Sequence, residues 1–127
     1  MNTKILGLRT AAYLVTDINA AKDWYSKAFE VTPYFDEPFY VGFNIGGYEL
    51  GLMPDGQPST EKPASVYVYW GVENIEKAFS RLLDLGAEAH ENPQSAGGEL
   101  KVASVKDPWG NILGIIYNPD FKIDKRS

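Results

Sequence analysis

One histidine, His90, and no cysteine limit the chemistry open to this chain. Without thiols there is no disulfide, thiolate zinc site, iron–sulfur cluster or cysteine nucleophile. With one imidazole, a site built from two or three histidines of a single chain is impossible, and so is an acid–base scheme that needs two. What remains is carboxylates and an aromatic content of 13%, with 3 Trp, 8 Tyr and 6 Phe. Much of that must be core, because aromatic side chains dominate core packing, but it is enough to line a pocket as well. Tyr67 and Tyr69 stand two positions apart, so on a strand they share a face and offer rings for stacking and hydroxyls for hydrogen bonds.

Charge narrows the partners further. Twelve basic against 17 acidic residues leave a net charge of −5, which argues against a nucleic-acid or anionic-membrane surface built from clustered Lys and Arg. No apolar run approaches the roughly 20 residues of a membrane helix. The first ten residues have neither the length nor the apolar stretch of a secretory signal, so the expected location is the cytoplasm. At 127 residues, 44% of them hydrophobic, the chain suits one compact domain, or two small modules sharing one core.

The elements that must position any site repeat. Val15-Thr16-Asp17-Ile18 precedes an amphipathic stretch carrying Ala21, Tyr25 and Ala28. Val72-Glu73-Asn74-Ile75 precedes one carrying Ala78, Leu82 and Leu85, at an offset of 72 − 15 = 57. Later, Gly47–Leu52 recurs as Gly110–Ile115 at an offset of 114 − 51 = 63, so the second copy holds six more residues. The Gly-, Pro- and Ser-rich stretch 92–99 is the natural place for them. In each copy a short apolar strand (8–15, 66–72) leads through an N-cap, Asp17 or Asn74, into a helix. The helix stripes are Ile18, Ala21, Trp24, Tyr25, Ala28 and Phe29, then Ile75, Ala78, Phe79, Leu82 and Leu83, and Gly86 suits a left-handed helix end. Strands follow at 39–45 and 48–53, joined by the hairpin turn Gly46-Gly47, and at 101–105 and 112–117, joined through Asp107–Asn111. The predicted fold class is α+β: two βαβββ modules forming a curved mixed sheet, helices outside and a cavity inside. Module one covers about 6–56 and module two about 64–119 of a domain spanning 1–120, followed by a charged tail at 121–127. Trp24 and Trp70 are expected in the core, Trp109 at a cavity mouth or dimer contact, and His90 on an edge strand at the surface.

The paired modules, the Val-x-Asp/Asn-Ile helix starts and Asp107-Pro108-Trp109-Gly110-Asn111-Ile112-Leu113 resemble the vicinal oxygen chelate superfamily. This group includes glyoxalase I, bleomycin-resistance binding proteins, fosfomycin-resistance transferases and extradiol dioxygenases. The resemblance runs from about Leu6 to Pro119. It implies a metal site in which each module donates a His or Gln from its first strand and a Glu from its last. Those positions fall on Thr10 and Tyr67, and on Gly51 and Gly114. Glycine has no donor, and neutral Thr and Tyr are poor ligands for divalent ions. A shift of two along the last strand of module one reaches Glu49; no comparable shift rescues the other three.

The chain therefore resembles the metal-free binding branch. The reading is a protein without cofactor or metal that binds a small hydrophobic or aromatic molecule through Thr10, Glu49, Gly51, Tyr67, Tyr69 and Gly114, as a homodimer. In the register that the resemblance implies, alternation places Thr10, Ala12, Leu14, Glu49, Gly51, Met53, Tyr67, Tyr69, Ile112, Gly114 and Ile116 on the cavity face. The two tyrosines line a ligand or simply fill the space; the two glycines leave room for it or relieve crowding between strands. Glu49 pairs with a cationic ligand, holds a raised pKa in a dry cavity, or reaches water or Arg9. The alternative function is a metal-dependent lyase or dioxygenase with a non-standard site, for which Glu49 and His90 are the available ligands. A third is an interaction module whose cavity is filled by its own side chains.

Overall fold

The computed structural model describes residues 8–55 and 68–119; Tyr67 and the charged tail at 121–127 lie outside the described residues. The chain divides into two compact units, Met1–Pro58 and Ser59–Ser127. The first contains β1 (Thr10–Val15), α1 (Ile18–Phe29), β2 (Phe35–Glu37), β3 (Tyr40–Ile45) and β4 (Tyr48–Pro54). The second contains β5 (Tyr69–Gly71), α2 (Ile75–Asp84), β6 (Glu88–Ser95), β7 (Lys101–Lys106) and β8 (Ile112–Tyr117). Each unit is a four-stranded mixed sheet with one helix, in the orders β1-β4-β3-β2 and β5-β8-β7-β6. The first and last strands of each unit pair in parallel and the other pairs are antiparallel. The α+β class and the two similar modules are as the sequence predicts.

Register confirms the repeat. Ala12 pairs with Gly51 in the first unit and Tyr69 with Gly114 in the second, at offsets of 69 − 12 = 57 and 114 − 51 = 63. The six additional residues lie between Glu91 of β6 and Ser104 of β7. Phe35 pairs with Gly42 across seven positions, and Glu91 with Ser104 across thirteen. They are not simply a loop: β6 runs on to Ser95, with Gln94 opposite Val102 and Ser95 opposite Lys101. A continued ladder satisfies backbone groups that a loop would leave to water.

Local chemistry accounts for the boundaries. The side chains of Asp17 and Asn74 accept the backbone N–H groups of Ala20 (3.1 Å) and Lys77 (3.0 Å), starting the two helices. Gly86, at φ +102°, ends α2 as expected. α1 ends instead on Glu30 at φ 55°, a conformation non-glycine residues seldom adopt. In the turn between β7 and β8, one oxygen of buried Asp107 accepts from the backbones of Trp109 (2.9 Å) and Asn111 (2.8 Å), and the other from the Asn111 side chain (3.0 Å).

Apolar alternation sets the packing. Val15, Val41, Phe43, Leu50 and Leu52 pack with Ala21 and Tyr25 of α1, and Ala103, Val105, Leu113 and Ile115 with Ile75, Phe79 and Leu82 of α2. Trp24 and Trp70 are half-buried rather than enclosed. Trp24 lies edge-on to Tyr25 at 4.8 Å, and as the next residue on the helix it points about 100° away from that buried ring, towards the flank of the stripe. No helix of the described residues is long and apolar enough to cross a membrane.

Candidate functional site

On the first sheet, the face away from α1 is built in three rows. Thr10 pairs with Glu49 and Glu49 with Asn44. The next row is Ala12, Gly51, Gly42 and Phe35. The third brings Leu14 to Met53, with Tyr40 and Glu37 paired on the far side. Burial along β1 alternates as the face assignment requires: Thr10, Ala12 and Leu14 are exposed, while Ala11, Tyr13 and Val15 are buried.

Glu49 is the centre of this face. One carboxylate oxygen accepts the Thr10 hydroxyl at 2.8 Å. The other accepts the hydroxyl of Tyr34. Tyr40 supplies a third hydroxyl. Tyr34 is held at its other end too, since its backbone N–H donates to the Gly42 carbonyl at 2.9 Å.

The bare middle row makes this possible. A Cβ on Gly42 would stand 2.7 Å from Glu49 Oε2 and 3.1 Å from the Tyr34 ring. One on Gly51 would stand 2.0 Å from the Tyr40 hydroxyl. Both glycines let a tyrosine lie flat across the strands to reach the carboxylate, so the room beside Gly51 is occupied by this chain's own Tyr40.

Electrostatics follow from these bonds. The Tyr34 hydroxyl holds the Glu49 carboxyl below its usual range; burial opposes this, and the Thr10 and Tyr40 hydroxyls reinforce it. Of the ways to read Glu49 from sequence, the raised pKa is the one the geometry reverses. The hydrogen bond to Glu49 raises Tyr34. Burial first, then the bond to Glu49, pushes Tyr40 up to about 12. The cluster thus carries one negative charge at neutral pH, on Glu49, with the phenols protonated. Around it lie exposed apolar side chains: Phe39 is 65% exposed, Phe35 38%, Leu14 43% and Met53 39%. Phe35 sits 6.0 Å from Phe39 and 6.1 Å from Tyr40, ring centre to ring centre.

The second sheet carries a different set. Tyr69, Gly114, Ser104 and Glu91 form one row across its face. Tyr69 fills the room beside Gly114, where an added Cβ would meet the Val68 carbonyl oxygen at 2.6 Å and the Tyr69 ring at 2.8 Å. His90 is on the edge strand, as expected, at a bulge that sets His90 and Glu91 together opposite Ser104. Ser104 donates to Glu91 at 3.1 Å and lies 2.9 Å from His90 Nδ1. The row that answers to Thr10 and Glu49 is Tyr67 and Ile112 by the same offsets, and Tyr67 lies outside the described residues. Among the described residues no three His, Cys, Asp or Glu side chains cluster closely enough to hold a metal ion.

Of the sequence candidates, Thr10, Glu49 and Gly51 come together in the first unit, and Tyr69 and Gly114 in the second. Sequence reasoning missed Tyr34 and Tyr40. Alternation along 39–45 gives Tyr40 the same face as Gly42, so that signal was present; nothing local marks Tyr34.

Comparison with known proteins agrees with this architecture. The glyoxalase-related enzyme from Fulvimarina pelagi superposes with a TM-score of 0.77 at 18% identity, covering 95% of this chain and 94% of its own. The fosfomycin resistance protein FosX from Listeria monocytogenes gives 0.75 at 15% identity, covering 92% and 97%. A glyoxalase/bleomycin resistance protein from Albidiferax ferrireducens gives 0.69 at 20% identity, covering 87% and 98%. At such identities the likeness is one of fold. No curated protein matches significantly by sequence. The Glyoxalase/Bleomycin resistance protein/Dioxygenase superfamily matches residues 7–115, most of the chain, and this protein therefore belongs to that superfamily.

Proposed function

We propose that this protein binds a small hydrophobic or aromatic molecule on the sheet faces that carry Glu49 and Tyr69, without a metal ion. The observation that carries this reading is the Glu49 carboxylate held by the hydroxyls of Thr10, Tyr34 and Tyr40 beside exposed aromatic rings. A divalent ion of the kind the superfamily's enzymes use does not fit these donors. Structural and catalytic sites take three or four good ligands, and here one carboxylate stands among neutral hydroxyls that already occupy it. Thr10, Glu49 and Gly51 are proposed as the binding residues of the first unit, and Tyr69 and Gly114, with Tyr67, as those of the second.

The competing reading is an enzyme of the same superfamily with a non-standard metal site. The description of one structural neighbour as a glyoxalase-related enzyme favours it. Elemental analysis of protein purified without chelator separates the two. We expect well under one equivalent of Zn, Fe, Mn or Ni per chain after dialysis, and binding of an environment-sensitive aromatic dye that is unchanged by chelator. About one equivalent retained, or dye binding lost on chelation, would overturn the metal-free reading.

A further inference from the structure

We propose that the ligand of the Glu49 face is a weakly hydrated organic cation, such as a quaternary ammonium or amidinium group on an aromatic or aliphatic body. This rests on the preceding reading that the face binds a small molecule, and it specifies the ligand's charge.

Three observations point to a cation. First, the three rows of the face contain two carboxylates, Glu49 and Glu37, and no Lys or Arg. Among the described residues of these rows, an anionic ligand would meet repulsion and no counter-charge. Second, any ligand large enough to cover the rings also strips water from Glu49. Covering an ionised carboxylate with a neutral apolar group is costly, because hydroxyl hydrogen bonds replace only part of its hydration. A cationic ligand restores the lost solvation with its own charge. Third, exposed aromatic rings share the face with Glu49, beside the polar Thr10 and Asn44 that pair with it. Tyr34 and Phe39 are each 65% exposed, and Phe35 and Tyr40 lie beside them.

Those rings also set the kind of cation. A compact, strongly hydrated ion needs several oxygen donors to replace its water and finds one carboxylate already bonded. A diffuse organic cation loses little hydration and is attracted to the negative face of an aromatic ring. The phenols are tuned for this. A hydroxyl donating to a carboxylate pushes electron density into its ring, which deepens the field above it. Tyr34 is fixed through its hydroxyl and its backbone N–H, so little ordering cost is left for the binding step.

The test uses a matched pair of probes, benzyltrimethylammonium and its uncharged isostere neopentylbenzene, titrated into the full chain at neutral pH and low salt and followed by NMR. We expect the cation to bind at least roughly tenfold more tightly than the isostere. Glu49→Gln should erase that preference while changing the isostere's affinity less than about twofold. Phe39→Leu, which removes a ring and no charge, should weaken the cation several-fold and keeps the test independent of any folding defect at position 49. Equal binding of the two probes overturns the cation inference and leaves the small-molecule reading standing. Failure of both probes overturns both readings. Failure of both together with a dimer that Phe39→Asp dissociates shows instead that a second copy of this chain covers the face.

Discussion

Three hydroxyls hold the Glu49 carboxyl below its usual range, the Tyr34 hydroxyl foremost, and removal of the carboxylate would leave them without their acceptor. Each hydroxyl that donates to it keeps its own proton, so the cluster titrates at both ends of the pH scale. Glu49 has a folded-state pKa below its usual value, so the stability it contributes is present above the ordinary carboxylate range and is lost as pH falls through the lowered value. Tyr40 has a raised pKa, so its contribution is present below the ordinary phenol value near 10 and is lost as pH rises towards about 12. Ultraviolet titration of the folded protein should therefore show the Tyr40 phenol ionising near 12 and moving part of the way back in Glu49→Gln, since burial, the larger cause, remains. An unchanged phenol titration in that variant would remove Tyr40 from the cluster. The two tyrosines also explain why a site of this kind is hard to see in a list of candidate ligands. They act through a carboxylate that none of the family's ligand positions marks.

At the scale of elements, the glycine row decides what may cross the sheet. Gly51 and Gly114 hold equivalent positions in the two units and are both hemmed in, but by different atoms. An added methyl at Gly51 meets the far end of Tyr40, which can swing away; at Gly114 it meets the Val68 backbone carbonyl, which cannot move without the strand. Gly114→Ala should thus cost roughly 2–3 kcal/mol and Gly51→Ala about 1 kcal/mol or less, while Gly51→Ala alone displaces Tyr40. Urea denaturation of the two variants checks the order; equal costs would mean that β5 yields as easily as a side chain. The turn at Asp107–Asn111 is the second case. Read as sequence, its content is a proline that fixes φ and a glycine that frees it, and Gly110 does stand at φ +85°. The structure adds that Asp107, 4% exposed, gathers three hydrogen bonds within the turn. Asp107→Ala would strand those donors and should cost roughly 2–4 kcal/mol, measurable as a lowered melting temperature.

For the whole molecule, the family and the repeat set the expectation of assembly. Each four-stranded sheet ends on two edge strands, and exposed edges and apolar faces are surfaces that proteins commonly cover by pairing. We expect a homodimer, with a light-scattering mass near twice the 14.1 kDa of one chain. A mass near 14.1 kDa at micromolar concentration would contradict it.

The two-module organisation was legible in the sequence because every signal for it is local or periodic. Side chains two apart share a strand face, side chains three and four apart share a helix stripe, and a duplicated module shows itself as a fixed offset, so the strands, both N-caps and the Gly46-Gly47 hairpin follow directly, and the exposed side of β1 follows once the family resemblance sets the register. The βαβββ pattern called for a strand between α1 and β3, but its residues were not legible: three, Phe35-Asp36-Glu37, are too short to show a period. The site depended on what such counting omits. Thr10 and Glu49 meet across 39 positions, and Tyr34 and Glu49 across 15. The same gap hid the register that sets Thr10 against Glu49 and Ala12 against Gly51. The tertiary structure decided that the carboxylate is ringed by hydroxyls and that the glycines hold tyrosines, because those contacts are fixed by strand pairing and by the volume each side chain leaves to another, neither of which is written at any one position.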